Sequence, residues 1–341
     1  MIAATSLSNQ PREPARWQQV LADAITDPAE LLSVLGLDPS ALPAMKAAAR
    51  DFPLCVPRGF VARMRRGDPF DPLLLQVLPT AAELVPQAGF VSDPVGDLES
   101  RQGNGLLQKY AGRSLLIATG ACAVHCRYCF RRHFPYDEET ASTRAWQGAL
   151  DRLSADPTVH EVILSGGDPL SLSDRRLAQL TAALQKIPHI KRLRIHTRQP
   201  IVLPERVDAG LVDWLGGVNL QKVVVVHVNH AREIDGTVVK ACRDLAGAGA
   251  TLLNQSVLLA GVNDTVDALC DLSEALIAAG VLPYYLHVLD RVSGASHFEV
   301  QERVACDLID QLVARLPGYL VPKLVREVPG MPSKTPVTKS P

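Results

Sequence analysis

From about residue 113 onward, short apolar runs alternate with amphipathic stretches that are long enough to form helices. The strand candidates lie at 114–118, 161–164, 192–196, 222–227, 251–257 and 283–288. Helix candidates lie between them, for example at 144–154, 174–185, 236–248 and 264–279. Strands that alternate with helices of ten or more residues predict an α/β fold with a parallel sheet built from βαβ units.

The region before this alternation has a helical pattern that prolines interrupt. Helical stretches are predicted at 17–25, from Pro28 onward and at 43–49, since a proline followed by acidic residues marks a helix start. An irregular connection follows at about 81–106. We therefore predict a helical N-terminal region at 1–106, an α/β core at 107–300 and a C-terminal segment at 301–341.

Composition is that of an ordinary globular protein, with 341 residues of which 47% are hydrophobic and 21% charged. A net charge of −1 gives no electrostatic case for nucleic acid or an anionic membrane surface as a partner. No apolar run is long enough to span a bilayer. The first apolar run is short and ends at Asn9, which does not fit a secretory signal. Seven cysteines, an odd number, do not suggest a disulfide framework, so we expect a cytoplasmic protein.

Three of the cysteines, Cys122, Cys126 and Cys129, form a C-x3-C-x2-C run. Ferredoxin-type [4Fe–4S] clusters have four cysteine ligands, one for each iron. Three thiolates therefore leave one iron open to a substrate. A structural zinc site is the alternative, but it needs four ligands that usually come in pairs, and no second pair follows. The run favours an iron–sulfur cluster, whereas the scattered remaining cysteines are expected to be small buried hydrophobes.

Polar residues follow the predicted strands at their carboxyl ends, where parallel α/β folds carry their chemistry. Paired glycines after the second strand allow a close backbone approach to a ligand, although an ordinary tight turn would use them equally. Two histidines three residues apart follow the fourth strand; we expect hydrogen bonding rather than metal binding from them. The candidates are Ser165, Gly166, Gly167, Asp168, His196, Arg198, His230 and Gln255.

The cysteine run resembles that of the radical S-adenosylmethionine enzymes. The runs L-S-G-G-D-P-L, H-x-N-H, N-Q-S-V-L-L-x-G-V-N-D and S-G-x-x-H-F are similar to the lysine 2,3-aminomutase family, in order, over about 110–335. C-R-Y-C-F-R-R-H-F-P-Y and P-S-K-T-P resemble its short bacterial branch, which makes (R)-β-lysine for modification of translation elongation factor P. The resemblance implies an open (β/α)6 partial barrel whose mouth is closed by the C-terminal segment.

The resemblance also implies three cofactors and a residue set for each. It implies a [4Fe–4S] cluster on Cys122, Cys126 and Cys129, S-adenosylmethionine, and pyridoxal 5′-phosphate as a Schiff base on Lys334. It assigns the cofactor phosphate to Lys109, Tyr110 and Arg113, and the strand-end residues named above to the surroundings of the two organic cofactors. It assigns the substrate to Arg131, which takes the α-carboxylate, and to Asp290 and Glu327, which take the ε-ammonium. Longer members have tyrosine in place of His287 and aspartate in place of Glu327.

The implied activity is the isomerisation of L-α-lysine to (R)-β-lysine. The implied partners are elongation factor P with its β-lysine ligase, and an electron donor such as flavodoxin or ferredoxin. A catabolic lysine 2,3-aminomutase and a glutamate 2,3-aminomutase are the enzymatic alternatives; two carboxylates would repel an acidic side chain and so disfavour glutamate. A non-catalytic iron–sulfur protein is the alternative from another class.

Overall fold

The computed structural model describes residues 15–103, 105–136 and 143–339. Nine strands form one sheet in which each strand lies next to its neighbours in sequence. The strands are β1 Leu106–Tyr110, β2 Arg113–Thr119, β3 Glu161–Gly166, β4 Arg192–Thr197, β5 Gln221–Val226, β6 Ala250–Val257, β7 Leu282–His287, β8 Lys323–Arg326 and β9 Thr335–Pro336. Pairing is parallel from β2 to β8 and antiparallel at the two ends. Because β1 and β9 do not pair with each other, the sheet is an open partial barrel.

Helices cover the outside of the sheet and form the N-terminal region. They are α1 Arg16–Ala22, α2 Pro28–Leu35, α3 Leu42–Asp51, α4 Arg58–Val61, α5 Pro72–Leu75, α6 Thr143–Ala155, α7 Asp174–Leu184, α8 Gln199–Val202, α9 Ala209–Gly216, α10 Gly236–Gly247, α11 Val266–Ala278 and α12 Glu302–Arg315. Several begin at a capping side chain: Asp27 accepts a hydrogen bond from Ala29 N, and Asp235 from Thr237 N and Val238 N. In the described residues, no helix is long and apolar enough to cross a bilayer.

The main hydrophobic core lies between the parallel strands and the helices that follow them. All six residues of β3 are buried, as expected of a parallel strand covered on both faces. A second apolar cluster joins the N-terminal helices to the loop after β2, where Ala123 and Val124 pack with Phe60 and Leu73. The N-terminal region therefore supports the cysteine loop directly.

The six predicted strands and the four predicted helices of the core are confirmed, with each bound within two residues of the predicted one. Strands β1, β8 and β9 were not predicted, because runs of two to five residues with mixed polarity carry no clear periodicity. The expectation that the tail folds back is also confirmed. Strand β9 pairs with β8, and Val337 is buried beyond it.

Candidate functional site

A cavity of about 700 Å³ opens at the carboxyl ends of the parallel strands. With one exception, every residue that the sequence analysis assigned to a cofactor or to the substrate lines this cavity. The exception is His230, whose Nδ1 accepts a hydrogen bond from Arg232 N at 3.1 Å and caps a 3-10 helix at Ala231–Glu233. The topology therefore brings together groups that lie more than 200 residues apart in the chain, such as Lys109 and Lys334.

The cysteine loop after β2 is held from outside by the N-terminal region. His125 N donates to Cys55 O at 2.9 Å, and Arg127 N donates to Gln76 O at 2.9 Å. The Arg127 guanidinium is fully buried and binds Glu83, with its Nε at 2.9 Å from Oε1. Arg132 binds the same carboxylate at 2.8 Å. These contacts fix the backbone of the loop independently of any ligand.

The three thiols of the loop are unpaired, half-buried and face the cavity. Burial raises the pKa of Cys122 well above its ordinary value and that of Cys129 to about 11. No group of three or more His, Cys, Asp or Glu side chains within the described ranges is arranged to hold a single metal ion. A cubane cluster does not require that arrangement, because each thiolate binds a different iron. Three thiols on one clamped loop therefore fit a cluster better than a mononuclear metal.

The paired glycines bring the end of β3 against the cysteine loop. A Cβ at Gly167 would lie 2.4 Å from Ala121 O, and one at Gly166, whose φ is +120°, would lie 2.5 Å from Thr119 O. Gly167 N donates to Thr119 O at 2.7 Å, and Asp168 N donates to Ala121 O at 2.8 Å. Only glycine fits this approach, so the motif positions the cysteine loop.

The buried Asp168 carboxylate is engaged within the protein. It accepts hydrogen bonds from Thr197 Oγ1 at 2.7 Å, Arg198 N at 2.7 Å and Gln199 N at 3.0 Å. Burial nonetheless raises the pKa of Asp168. The structure therefore shows Asp168 tying the end of β4 to the cysteine loop.

Arg131 and Lys109 share a buried carboxylate that sequence reasoning missed. Asp97, 2% exposed, places Oδ2 at 2.6 Å from Arg131 Nε and Oδ1 at 2.6 Å from Lys109 Nζ. Arg131 Nη1 also donates to Ser165 Oγ at 2.9 Å, and Lys109 Nζ to Val95 O at 2.7 Å. Asp97 comes from the irregular connection before β1, where no local pattern marks it.

The cavity is also lined by Lys334 and the two predicted substrate carboxylates. Lys334 Nζ lies 2.9 Å from Glu327 Oε2, and Tyr110 OH donates to Glu327 Oε1 at 2.5 Å. Burial alone would raise the pKa of Glu327, but Lys334 and the Tyr110 hydrogen bond bring it below its ordinary value. Burial raises the pKa of Asp290 to about 7, and Lys334 offsets this only in part. The Arg113 guanidinium packs 4.5 Å from the centre of the Tyr110 ring.

Three histidines that line the cavity each have a buried Nε2 with no hydrogen-bond partner among the described residues. They are His196, His227 and His287. Burial lowers their pKa values, that of His227 to about 3, so the imidazoles are neutral. Buried polar atoms are nearly always satisfied, so unpaired ring nitrogens in a cavity indicate a polar ligand. Together with Lys334 and Arg113, they fit a phosphorylated aromatic cofactor. His227 and His230 are the two histidines that follow the fourth predicted strand, and only His227 belongs to this wall.

Comparisons with known proteins agree with this geometry. A model of the radical SAM superfamily matches residues 116–267. L-lysine 2,3-aminomutase of Escherichia coli K12 is 51% identical over 322 residues, which are 94% of each chain. The enzyme of the same name from Haemophilus influenzae is 46% identical over 95% of this chain and 96% of its own. That of Clostridium subterminale is 34% identical over 94% of this chain but only 77% of its own. The chain belongs to the lysine 2,3-aminomutase family of radical S-adenosylmethionine enzymes.

Proposed function

We propose that this protein isomerises L-α-lysine to (R)-β-lysine by moving the amino group from C2 to C3. One observation carries the proposal: Arg131, Lys334, Asp290 and Glu327 line a single cavity. A guanidinium suits an α-carboxylate, a lysine suits an aldehyde cofactor, and two carboxylates suit an ε-ammonium. The same carboxylates disfavour glutamate as substrate because they would repel its side chain.

Membership of the family brings three cofactors, a [4Fe–4S] cluster, S-adenosylmethionine and pyridoxal 5′-phosphate. When bound, they supply a 5′-deoxyadenosyl radical and a carbonyl that carries the migrating nitrogen. We assign the cluster to Cys122, Cys126 and Cys129 and the aldehyde carbon to Lys334. For the phosphate we favour Arg113, because the ammonium of Lys109 is already bound by Asp97 and Val95 O and the hydroxyl of Tyr110 already donates to Glu327.

The chain's own residues bind and shield the substrate in this account. Arg131 binds the α-carboxylate, oriented by Asp97 and Ser165. Lys334 Nζ is bound to Glu327, and a Schiff base on Lys334 would leave this carboxylate available to the ε-ammonium. The neutral histidines add hydrogen-bonding groups without a charge, and the buried walls keep water away from the reacting carbons.

We further propose that the β-lysine serves the modification of elongation factor P, in concert with its β-lysine ligase, in the cytoplasm. The higher identity to the Escherichia coli relative, 51%, than to the clostridial relative, 34%, supports this role. Unpaired cysteines support a reducing compartment. An electron donor of the flavodoxin or ferredoxin type would reduce the cluster. We also propose the three-part organisation 1–106, 107–300 and 301–341.

The test of the reaction is anaerobic turnover with a choice of substrates. The protein is loaded with iron, sulfide, S-adenosylmethionine and pyridoxal phosphate, reduced with dithionite, and given lysine or glutamate. We expect (R)-β-lysine from lysine alone. Lys334→Ala should keep its iron and lose the product, whereas Lys339→Ala, a surface lysine paired with Asp307 and Asp310, should keep both. β-Glutamate as the main product would contradict the proposal.

The role in protein modification needs a separate assay. Elongation factor P and its ligase are added to the turnover mixture, and the intact mass of the factor is measured. We expect a β-lysyl mass increase that depends on the aminomutase. If free β-lysine forms but gives no such increase at saturating ligase, the catabolic alternative replaces this role.

A further inference from the structure

The Arg198 guanidinium contacts the cysteine loop and donates a hydrogen bond to one of its three sulfurs. Its Nη1 donates to Cys126 Sγ at 2.8 Å and to Tyr128 OH at 2.7 Å. The side chain is only 6% exposed, so little water screens its charge. A buried cation that donates to a thiol is an electrostatic feature of the cysteine site as well as a packing contact.

Arg198 is held in this orientation by groups other than the cysteine. Its Nη2 donates to Gln76 Oε1 at 2.6 Å and to Glu233 Oε2 at 3.0 Å. The other oxygen of Glu233 accepts from Gln76 Nε2 at 3.1 Å and from Asn229 N at 3.0 Å. Asn229 Nδ2 in turn donates to Tyr128 OH at 2.7 Å. Because Tyr128, Gln76 and Glu233 hold the guanidinium directly, its position does not depend on the state of the thiol.

We propose that Arg198 acts through Cys126 to raise the reduction potential of the iron–sulfur cluster, and that Glu233 limits this effect. The inference rests on the proposed function in one respect, that Cys126 is a cluster ligand. Reduction adds negative charge to the cluster and its sulfurs. A donor and a positive charge beside one sulfur therefore stabilise the reduced state more than the oxidised state, while a buried carboxylate near the guanidinium does the opposite.

Arg198 and Glu233 thus shift the reduction potential in opposite directions. Loosened packing would not produce two shifts of opposite sign. Removing the cation lowers the potential, and removing the anion raises it. Damage to the loop would instead reduce the cluster content of both variants or move both potentials in the same direction.

The experiment is a redox titration of the cluster-loaded protein, with electron paramagnetic resonance of the reduced cluster as the readout and iron and sulfide content measured on each sample. We expect Arg198→Gln to lower the ratio of reduced to oxidised cluster at a fixed potential about tenfold, which is a shift of about 59 mV for one electron. Glu233→Gln should raise that ratio. Arg206→Gln is the matched control, because Arg206 is fully buried but binds Leu170 O and Leu172 O, and it should leave the potential unchanged.

Unchanged potentials in cluster-loaded Arg198→Gln and Glu233→Gln would overturn the inference, as would shifts of the same sign. Absence of a cluster in the wild-type protein would instead overturn the proposed function. If Arg198→Gln binds no cluster, the reduction potential of the Glu233→Gln variant tests the inference alone. A potential higher than that of the wild-type protein supports the inference, and an unchanged potential overturns it.

Discussion

Replacing Asp290 by Asn removes a carboxylate charge from the lining of the cavity while leaving the shape of the side chain nearly unchanged. Burial is the main reason that the pKa of Asp290 lies at about 7, against an ordinary 3.8. At about 1.36 kcal/mol for each pH unit, this gap corresponds to a cost of about 4 kcal/mol for the ionised carboxylate in the folded protein. Because the side chain is half-buried, screening brings the expected cost to about 2–4 kcal/mol.

The sign of the effect follows from the raised pKa. Folding favours the uncharged acid, so the stability contribution is fully present below pH 3.8 and is lost as pH rises through about 7. We therefore expect Asp290→Asn to raise the free energy of unfolding of the lysine-free protein by about 2–4 kcal/mol at pH 8. At pH 4 the two proteins should be alike. Denaturant unfolding at both pH values measures the difference.

Lysine binding provides the functional half of the same prediction. The ε-ammonium needs the ionised carboxylate, so lysine affinity should fall about tenfold for each pH unit below 7. The pKa values of Glu327 and Asp97 are lowered, as are those of the three histidines, so these neighbours do not titrate between pH 6 and 8.

Calorimetric titration of the loaded, unreduced enzyme at pH 6, 7 and 8 measures this dependence. Norleucine, which lacks the ε-amine, is the control ligand and accounts for the α-amine of the substrate. Asp290→Asn should weaken lysine binding at pH 8 and abolish its dependence on pH relative to norleucine. An Asn variant that binds lysine with wild-type affinity and wild-type pH dependence would refute the reasoning.

Two further substitutions test how the site is built. Gly167→Ala should lose at least half of the bound iron, because the added Cβ would lie 2.4 Å from Ala121 O. Gly216→Ala is the control and should lose none, since no atom lies within 4 Å of a Cβ at that position. Equal iron content in the two variants would contradict this prediction. Asp97→Asn should raise the KM for lysine at least tenfold with a smaller change in kcat, because Arg131 loses the partner that orients it, and breaking a buried pair costs about 3–5 kcal/mol. Steady-state kinetics check it, and an unchanged KM would show that Arg131 does not need Asp97.

Local patterns were sufficient to predict the core strands and the cysteine loop. Strands β2, β3 and β5 contain continuous apolar runs, and the three cysteines lie within eight residues of each other, so both signals are contained in short windows. Lys334 was found only through the family resemblance, since a lysine near a C-terminus has no local mark of its function. The antiparallel return of β9 explains how it reaches the cavity.

The supporting residues could not be predicted in the same way. Asp97, Glu83 and Gln76 lie in or before the irregular connection, and their partners are set by tertiary contacts with β1, the cysteine loop and the end of β4. For His230 a signal was present, because H-x-x-E is the spacing of a capping box and Glu233 closes that box.

Turnover of lysine that carries ¹⁵N at the α-amine tests the central claim most directly. An equal amount of lysine that carries ¹³C throughout its carbon skeleton and ordinary ¹⁴N at its amines is added. The β-lysine formed is analysed by mass spectrometry. Migration within one molecule predicts ¹⁵N at C3 of the ¹²C product and none in the ¹³C product. Loss of ¹⁵N to solvent, exchange between the two skeletons, or 5′-deoxyadenosine without β-lysine would contradict the account.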